Sequence, residues 1–444
     1  MVQTNKKRRK KRRRRIRYDR ILLTLAIIVG FVYLLCWACS ERAADTEAPE
    51  VDVVYDGIVW SDTLTNAASK VPALARMDRD IERFRARWGL EGMSLAVMRN
   101  DSLLFAKGYG FADRDSAIAM DASTTMRIAS ASKLITAVAI MRLCDLDSIS
   151  LDSKGFGPEG ILNDPEITEA ISDKRAFDIT VDHLLLHTGG FRGGADPMFS
   201  TPDIIKQNHL AKEPTPDELT KIIMRRRLRA KPGESRRYSN FGYFLLSRII
   251  EKVSGQSYWD FVRQNILEPI DAIKFKPAGN YRHERHADEA TYYGPDTVKV
   301  EEYNGSERMV DRVYGGSDVN GLLGAGGWVT TASDLARVVA AIDGKPGVPD
   351  ILSPKSIRLM TQRGSDKENL ARGWAEIDKS GRWIRTGTLS STHVLIMMYP
   401  QGDCWVMTTN SGVWTGHHFY SKQRDLANDL RSRYLRAMPR RNLW

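Results

Sequence analysis

Hydrophobic positions begin to recur with a regular period near residue 78, where they predict a helix followed by a hairpin. Ile81, Phe84 and Trp88 are spaced so that they share one face of a helix. The apolar stretches 94–98 and 103–109 then flank a short polar turn, as the two strands of a β-hairpin do. The first part of the folded region is therefore predicted to be one helix and two antiparallel strands.

Two further apolar runs lie near the other end of the chain. Residues 394–399 and 404–409 are separated by Pro-Gln-Gly-Asp at 400–403, which favours a second hairpin. Helical patterns occupy much of the sequence between the two hairpins. Strands at both ends with helices between them predict one sheet assembled from the two ends of this region.

Three helices between the two hairpins are predicted from sequence signals at their ends. Thr-Pro-Asp-Glu at 215–218 has a capping Thr, Pro at the first helical position and Glu at the third. A second helix is predicted over 242–254, with Gly255 as its stop. Thr-Ala-Ser-Asp at 331–334 predicts the start of another helix.

The N-terminal region combines a basic segment with an uncharged apolar segment, a pattern that predicts a membrane anchor. Residues 21–39 (ILLTLAIIVGFVYLLCWAC) contain no charged side chain. As a helix they would span about 28 Å, close to the hydrocarbon thickness of a bilayer. The segment 1–20 is strongly basic, and such flanks are retained in the cytoplasm. We therefore expect a single-pass signal anchor in the cytoplasmic (inner) membrane, with the remaining chain extracytoplasmic (periplasmic).

Two other interpretations of the apolar segment fit less well. A cleaved signal peptide would have a shorter apolar region and a cleavage site of small residues. A lipoprotein site at Cys39 would follow Ala38, but Trp37 stands where such sites favour small and aliphatic residues. The mixed, acidic residues 40–75 are expected to be a tether, and 76–444 the folded domain.

The overall charge first points to a nucleic-acid partner, and its distribution removes that indication. The chain carries a formal charge of +11, from 66 Lys plus Arg and 55 Asp plus Glu. Twelve of those bases and one acid fall in residues 1–20, so residues 21–444 hold 54 of each and are formally neutral. We therefore expect no nucleic-acid partner.

Four Cys exclude a disulfide scaffold. Cys144 and Cys404 are interpreted as buried thiols, with a bridge between them as the alternative.

Residues 126–143 (MRIASASKLITAVAIMRL) hold a candidate nucleophile. Ser130 and Lys133 are three apart, so their side chains share one face of a helix. Ser130 precedes the apolar-periodic stretch, and the positive field of a helix N-terminus suits a nucleophile whose attack generates an oxyanion. Ser-x-x-Lys alone is a weak pattern, and a capping Ser beside a solvated Lys explains it at least as well.

Two further features favour the catalytic interpretation. Tyr238 and Asn240 form the only Tyr-x-Asn of the chain, just before a predicted helix. Arg-Thr-Gly-Thr at 385–388 precedes the last hairpin, where an edge strand presents backbone amides to a cleft. With these motifs the sequence resembles the serine β-lactamase and penicillin-binding-protein superfamily, in particular its branch of class C β-lactamases, D,D-peptidases and esterases.

The resemblance extends over residues 78–415. It includes GYGFADRD at 108–115, ITVDHLLLHTGGF at 179–191, KPGESRRYSN at 231–240 and GLLGAGGWVTTASDLAR at 321–337. It implies an α/β fold of the α+β type, in which helices flank a mostly antiparallel sheet and an inserted helical subdomain forms one side of the cleft. It implies neither a metal nor an organic cofactor.

The resemblance also implies roles for individual residues. Ser130 is expected to be the acylated nucleophile, and Lys133 and Tyr238 the shared general base and acid. Asn240 is expected to bind a substrate amide or to orient Lys133. The backbone amides of Ser130 and Thr388 are expected to form the oxyanion hole. Thr386 and Gly387 belong to the same substrate-binding strand as Thr388.

Arg385 departs from the family pattern, which usually has Lys or His before Thr-Gly. Arg keeps the positive charge that lowers the pKa of a neighbouring Tyr, and it can hold a carboxylate with two hydrogen bonds. It does not shuttle a proton, which argues against efficient β-lactam turnover.

The resulting hypothesis is a membrane-anchored serine hydrolase that forms an acyl-enzyme on Ser130. Its substrate would be a small molecule or peptide with an amide or ester bond, as for a D,D-peptidase or an esterase, with peptidoglycan stem peptides among the candidates. The alternative is a catalytically weak or inactive scaffold or binding protein of penicillin-binding-protein type. Arg385 is the feature that supports this alternative.

Overall fold

The computed structural model describes residues 64–194, 196–294, 298–362, 371–413 and 418–444. The basic segment 1–20, the predicted span 21–39 and most of the expected tether lie outside the described residues. Within those ranges, no helix combines the length and apolar character that crossing a membrane requires.

Groups of helices and groups of strands follow one another along the chain. The helices are α1 (Ala75–Arg87), α2 (Ser132–Asp145), α3 (Pro165–Ala170), α4 (Val181–Leu185), α5 (Thr201–Gln207), α6 (Pro216–Met224), α7 (Asn240–Ser254), α8 (Tyr258–Val262), α9 (Ala332–Ala340), α10 (Pro354–Thr361) and α11 (His418–Tyr434). The strands are β1 (Gly92–Arg99), β2 (Ser102–Asp113), β3 (Ile118–Ala119), β4 (Met126–Arg127), β5 (Lys276–Pro277), β6 (Lys299–Glu301), β7 (Met309–Asp311), β8 (Trp328–Thr330), β9 (Glu376–Ile377), β10 (Trp383–Leu389), β11 (Thr392–Met398) and β12 (Asp403–Thr409).

The main sheet joins the two ends of the domain. Its strand order is β3-β2-β1-β12-β11-β10-β9, and every neighbouring pair is antiparallel. β1 lies beside β12, with Met93 opposite Thr409 and Arg99 opposite Asp403. Both predicted hairpins and their union in one sheet are confirmed. Two smaller sheets, β4-β8-β5 and β6-β7, are formed by the intervening sequence.

Helices cover both faces of the sheet, which explains why its central strands are almost entirely buried. Alternate residues of a strand point to opposite faces. Side chains that pack against α2, α7 and α9 include Ala96, Met98, Val394, Ile396, Cys404 and Val406. Side chains that pack against α1 and α11 include Leu95, Val97, Leu395, Met397, Trp405 and Met407. The fold is therefore a helix–sheet–helix arrangement of three layers.

The helix ends agree closely with their sequence signals. Thr215 and Glu218 form the predicted capping box, and Thr331 caps α9. Gly255 ends α7 with φ of 70°, a conformation that costs a side chain-bearing residue energy. The helix begins at Asn240, two residues before the prediction, because the Ser239 hydroxyl caps it. Cys144 and Cys404 are both free thiols, so the alternative of a bridge is wrong, but only Cys404 is buried as predicted, while Cys144 is half-buried.

Candidate active site

Ser130 lies in a tight turn that leads into α2. The turn is a single 3-10 turn over Ala129–Ala131, and Ala129 has φ of 48°, a left-handed conformation that is uncommon for residues other than glycine. The preceding residue is fixed to β8, because the Ile128 amide donates to the Trp328 carbonyl at 2.9 Å. These contacts set the position of Ser130 at the N-terminal end of a helix that is buried on nearly all sides.

Strand β10 passes directly over this turn. A Cβ atom built on Gly387 would lie 2.4 Å from the Ile128 carbonyl oxygen, closer than a real Cβ atom approaches, and 3.2 Å from the Ser130 amide nitrogen. Arg385, only 1% exposed, donates from Nε to the Ser130 carbonyl at 2.9 Å and also from Nη2 to the same oxygen. The strand is therefore held against the turn that carries Ser130 by both a glycine and a guanidinium group.

Lys133 is fully buried, and its amine has three neighbours. Nζ donates to Asn240 Oδ1 at 2.7 Å and to the Ala325 carbonyl at 2.5 Å, and it lies 3.4 Å from Ser130 Oγ. Burial lowers the pKa of Lys133, the charge of Arg385 lowers it further, and Tyr238 opposes the change. A neutral amine has two N–H groups and one lone pair. With both N–H groups directed to the two oxygens, the lone pair is left for the Ser130 hydroxyl.

Asp196 fixes the orientation of the Asn240 amide. Its Oδ2 accepts hydrogen bonds at 3.1 Å from both the backbone N–H and the side-chain Nδ2 of Asn240. Because Nδ2 is engaged there, Oδ1 is the atom that faces Lys133. The structure thus places Asn240 beside the lysine amine.

Tyr238 also contacts the Ser130 hydroxyl and lies beside the Lys133 amine. Its O–H donates to Ser130 Oγ at 2.7 Å, and its ring centroid lies 4.9 Å from Lys133 Nζ. Burial of the hydroxyl opposes ionisation, but the charges of Lys133 and Arg385 outweigh it and lower the pKa of Tyr238. Tyr238 as a whole residue is 45% exposed, so this side of the site is open to solvent.

His187 holds the segment that carries Tyr238. Its carbonyl accepts from the Arg237 amide at 2.8 Å, and its Nδ1 accepts from the Ser239 amide at 3.2 Å. The imidazole also packs on the Tyr238 ring, with centroids 4.6 Å apart. Burial and the neighbouring cations hold the pKa of His187 well below its ordinary value. His187 therefore holds the residues on both sides of Tyr238 in place, and its neutral ring acts as a hydrogen-bond acceptor.

The open edge of β10 presents two backbone amides to the cleft. The carbonyl of Ile384 accepts from the Ala375 amide on the β9 side. The peptide groups of a strand alternate in direction, so Thr386 and Thr388 point the same way, beyond the end of β9. Their N–H groups are thus directed away from β11, and the Thr388 side chain is exposed. This arrangement suits the stabilisation of an oxyanion.

His393 on the neighbouring strand β11 orients the hydroxyl of Thr388. Its Nε2 accepts from the Val413 amide at 3.3 Å, and its Nδ1 lies 3.3 Å from Thr388 Oγ1. Burial lowers the pKa of His393 to about 4, so the ring is neutral near pH 7. With Nε2 accepting, the ring proton is on Nδ1 and is donated to Thr388. The threonine hydroxyl hydrogen is then free to face the cleft.

The structure brings together the residues that the motifs singled out. Ser130, Lys133, Tyr238 and Asn240 form one connected cluster, and the strand with Arg385, Thr386, Gly387 and Thr388 borders it. Arg385 differs from expectation in one respect, since two of its donors are directed to the Ser130 carbonyl. Sequence reasoning missed Asp196, the Ala325 carbonyl, His187 and His393. The carbonyl lies inside the motif GLLGAGG, which was the one available signal.

Comparison with known proteins identifies the family. A sequence model of the beta-lactamase family matches residues 77–425, most of the chain. The chain belongs to the beta-lactamase family. The resemblance to serine β-lactamases and penicillin-binding proteins that the motifs indicated is thereby confirmed.

Individual relatives of this beta-lactamase-family protein have low sequence identity to it. Protein flp of Staphylococcus aureus (strain N315) is 29% identical over 209 residues, which cover 46% of this chain and 39% of that protein. The putative penicillin-binding protein PbpX of Bacillus subtilis (strain 168) is 26% identical over 372 residues, covering 82% and 84%. A D-amino acid amidase from Ochrobactrum anthropi SV3 has a similar fold, with a TM-score of 0.60 at 20% identity over 81% of this chain and 98% of the amidase.

The close approach at Gly387 predicts the effect of a single methyl group. In Gly387→Ala, the added Cβ would push β10 away from the turn, so Ser130 and the amide of Thr388 would separate. Labelling of Ser130 by a fluorophosphonate should slow by about 100-fold, as expected for a displacement of about 1 Å. The matched control is Gly155→Ala, whose Cβ would meet only the Ile179 carbonyl at 3.5 Å. Equal labelling of a folded Gly387→Ala chain and the parent would contradict this account of the strand.

Proposed function

We propose that this protein is a serine hydrolase that transfers acyl groups through an acyl-enzyme on Ser130. The observation that carries the proposal is the contact of one hydroxyl with two potential proton acceptors. Ser130 Oγ lies 2.7 Å from the Tyr238 hydroxyl and 3.4 Å from Lys133 Nζ. A serine hydroxyl is a weak nucleophile until a neighbouring group removes its proton, and both neighbours here have lowered pKa values.

The proposed acylation step conserves protons within this cluster. Ser130 Oγ attacks the substrate carbonyl carbon while its proton passes to Lys133 or Tyr238. The carbonyl oxygen becomes an oxyanion that accepts from the Ser130 and Thr388 amides. The proton then moves to the leaving amine or alcohol as its bond to the carbonyl carbon breaks. Water attacks the acyl-enzyme by the reverse path and releases Ser130.

An amide or ester is the substrate class that this proposal favours. The D-amino acid amidase and PbpX, a putative penicillin-binding protein, support an amide such as a peptidoglycan stem peptide. The engagement of Arg385 with the Ser130 carbonyl argues against a proton-shuttling role for it in β-lactam hydrolysis. The alternative of a catalytically weak or inactive scaffold becomes the better explanation if the hydroxyl of Ser130 proves unreactive.

Mass spectrometry of the full chain tests the nucleophile directly. After incubation with a fluorophosphonate or a penicillin, we expect one covalent adduct on Ser130 with at least one of the probes. Ser130→Ala should remove the adduct completely, because no other hydroxyl contacts both Lys133 and Tyr238 among the described residues. Ser132→Ala is the matched control, since this neighbouring hydroxyl lies 3.3 Å from the Trp328 amide and outside the cluster. The absence of any adduct with either probe would favour the scaffold alternative.

The pH dependence of labelling reports the proton acceptor. Lys133 accepts a proton only when neutral, and burial places its pKa below the ordinary 10.5. The labelling rate should therefore rise with pH at values below 10.5 and level off once Lys133 is deprotonated. Arg385→Gln removes a cation that lowers the pKa of both Lys133 and Tyr238, so the rising limb should move to higher pH. An unchanged limb would argue against proton transfer through these groups.

We also propose that residues 21–39 anchor the domain outside the cytoplasmic membrane. The support is the uncharged apolar segment and its basic flank. The full chain should remain in the membrane fraction after high-salt washing and should enter solution with detergent. Replacement of Ile27 and Val32 by Asp should release it into the soluble fraction, since each charge in a span costs about 3 kcal/mol. Retention of the doubly substituted chain by the washed membranes would contradict the anchor.

A further inference from the structure

A large cavity opens beside the candidate active site on the side of Tyr238 and Asn240. Its volume is about 840 Å³, within the range of sites that bind small molecules. Its apolar walls are formed by Phe191, Ile204, Ile223, Met224, Leu228 and Phe241. The lining also includes Tyr238, Ser239 and Asn240. Because the Tyr238 hydroxyl lies 2.7 Å from Ser130 Oγ, a group in this cavity would lie near a carbonyl positioned at Ser130.

The polar part of the lining is strongly cationic. Arg192, Arg226, Arg227 and Arg237 all line the cavity, against the two carboxylates of Asp196 and Asp203. One of those carboxylates is already engaged by Asn240. Since residues 21–444 have no net charge, four guanidinium groups at one cavity are a marked local excess.

These arginines are not used to stabilise the fold through ion pairs. The described ranges contain no hydrogen bond or ion pair from the guanidinium groups of Arg192, Arg226, Arg227 or Arg237 to any carboxylate, whereas fourteen other arginines of these ranges have such a partner. Arg237 is also placed by close packing, because a Cβ on Gly193 would lie 1.8 Å from the central carbon of its guanidinium group. Gly193 therefore leaves room for a cation at the mouth of the cavity.

We propose that this cavity is a subsite for a carboxylate on the substrate, a specificity that rests on the proposed hydrolase function. Guanidinium groups bind carboxylates through paired hydrogen bonds, and the apolar walls accommodate the carbon chain that carries the carboxylate. The subsite is distinct from Arg385, whose Nε and Nη2 donate to the Ser130 carbonyl. The preferred substrate is accordingly an acidic amide or ester.

Three phenyl esters with matched frameworks test the subsite with the full chain in detergent. Phenyl butyrate is neutral, phenyl hydrogen glutarate carries a carboxylate on the acyl group, and 3-carboxyphenyl butyrate carries one on the leaving group. In the doubly substituted chain Arg226→Gln/Arg227→Gln, the ratio of kcat/KM for one acidic ester to that for the neutral ester should fall by about tenfold. Arg229→Gln is the matched control, an exposed arginine of the same segment that does not line the cavity. Unchanged ratios for both acidic esters would overturn the proposal.

Binding separates this inference from the hydrolase proposal. In the Ser130→Ala full chain, at least one acidic ester should bind more tightly than phenyl butyrate by isothermal titration calorimetry, and Arg226→Gln/Arg227→Gln should remove the difference. Equal affinities would overturn the subsite. A parent chain that hydrolyses none of the esters would contradict the hydrolase proposal, while this binding difference would still support the subsite. Stronger competition by inorganic phosphate than by glutarate would overturn the assignment of a carboxylate.

Discussion

The burial of the Lys133 amine is the constraint on which the rest of the site depends. A charged or polar group that is removed from water is costly unless hydrogen bonds replace its hydration. In this site the replacement comes from distant parts of the chain, since Asn240 begins α7 and the Ala325 carbonyl precedes β8. The helices and loops that carry these oxygens must therefore close around α2 for the amine to be buried. The same closure brings the tyrosine segment and Ser130 into contact.

The guanidinium group of Arg385 holds β10 against Ser130, and its charge also lowers the pKa values of Lys133 and Tyr238. Its two donors tie β10 to the carbonyl of Ser130, which keeps the edge amides next to the hydroxyl. Its charge also disfavours a second cation at Lys133 and favours a tyrosinate at Tyr238. A Lys at this position has a single ammonium group and does not make the forked contact. The departure from the family pattern is therefore compatible with an active proton acceptor.

Local rules account for the predicted secondary structure and for the contact of Ser130 with Lys133, whereas the joining of the two hairpins and the place of Tyr238 and Asn240 beside this pair were predicted from the order of elements and from the family resemblance. The capping boxes, the hairpins and the contact of Ser130 with Lys133 follow from spacings of three or four residues, or from alternation along a strand. The partners that were missed are contacts over long sequence separations. Asp196 meets Asn240 across 44 residues, and Arg385 meets Ser130 across 255. Such contacts depend on how the layers pack, and no periodic pattern in the sequence encodes them.

Two buried histidines help to explain why proton transfer would fall to a lysine and a tyrosine. His187 and His393 both lie beside the site, and a histidine near a serine is the usual general base in other hydrolases. Burial lowers the pKa of both rings, so neither takes up a proton readily near neutral pH. Each has a ring nitrogen that accepts from a backbone amide, of Ser239 and of Val413 respectively. Both histidines are thus fixed as neutral rings, His187 against Tyr238 and His393 against Thr388 of β10. Within the described residues, the only basic groups in contact with the Ser130 hydroxyl are those of Lys133 and Tyr238.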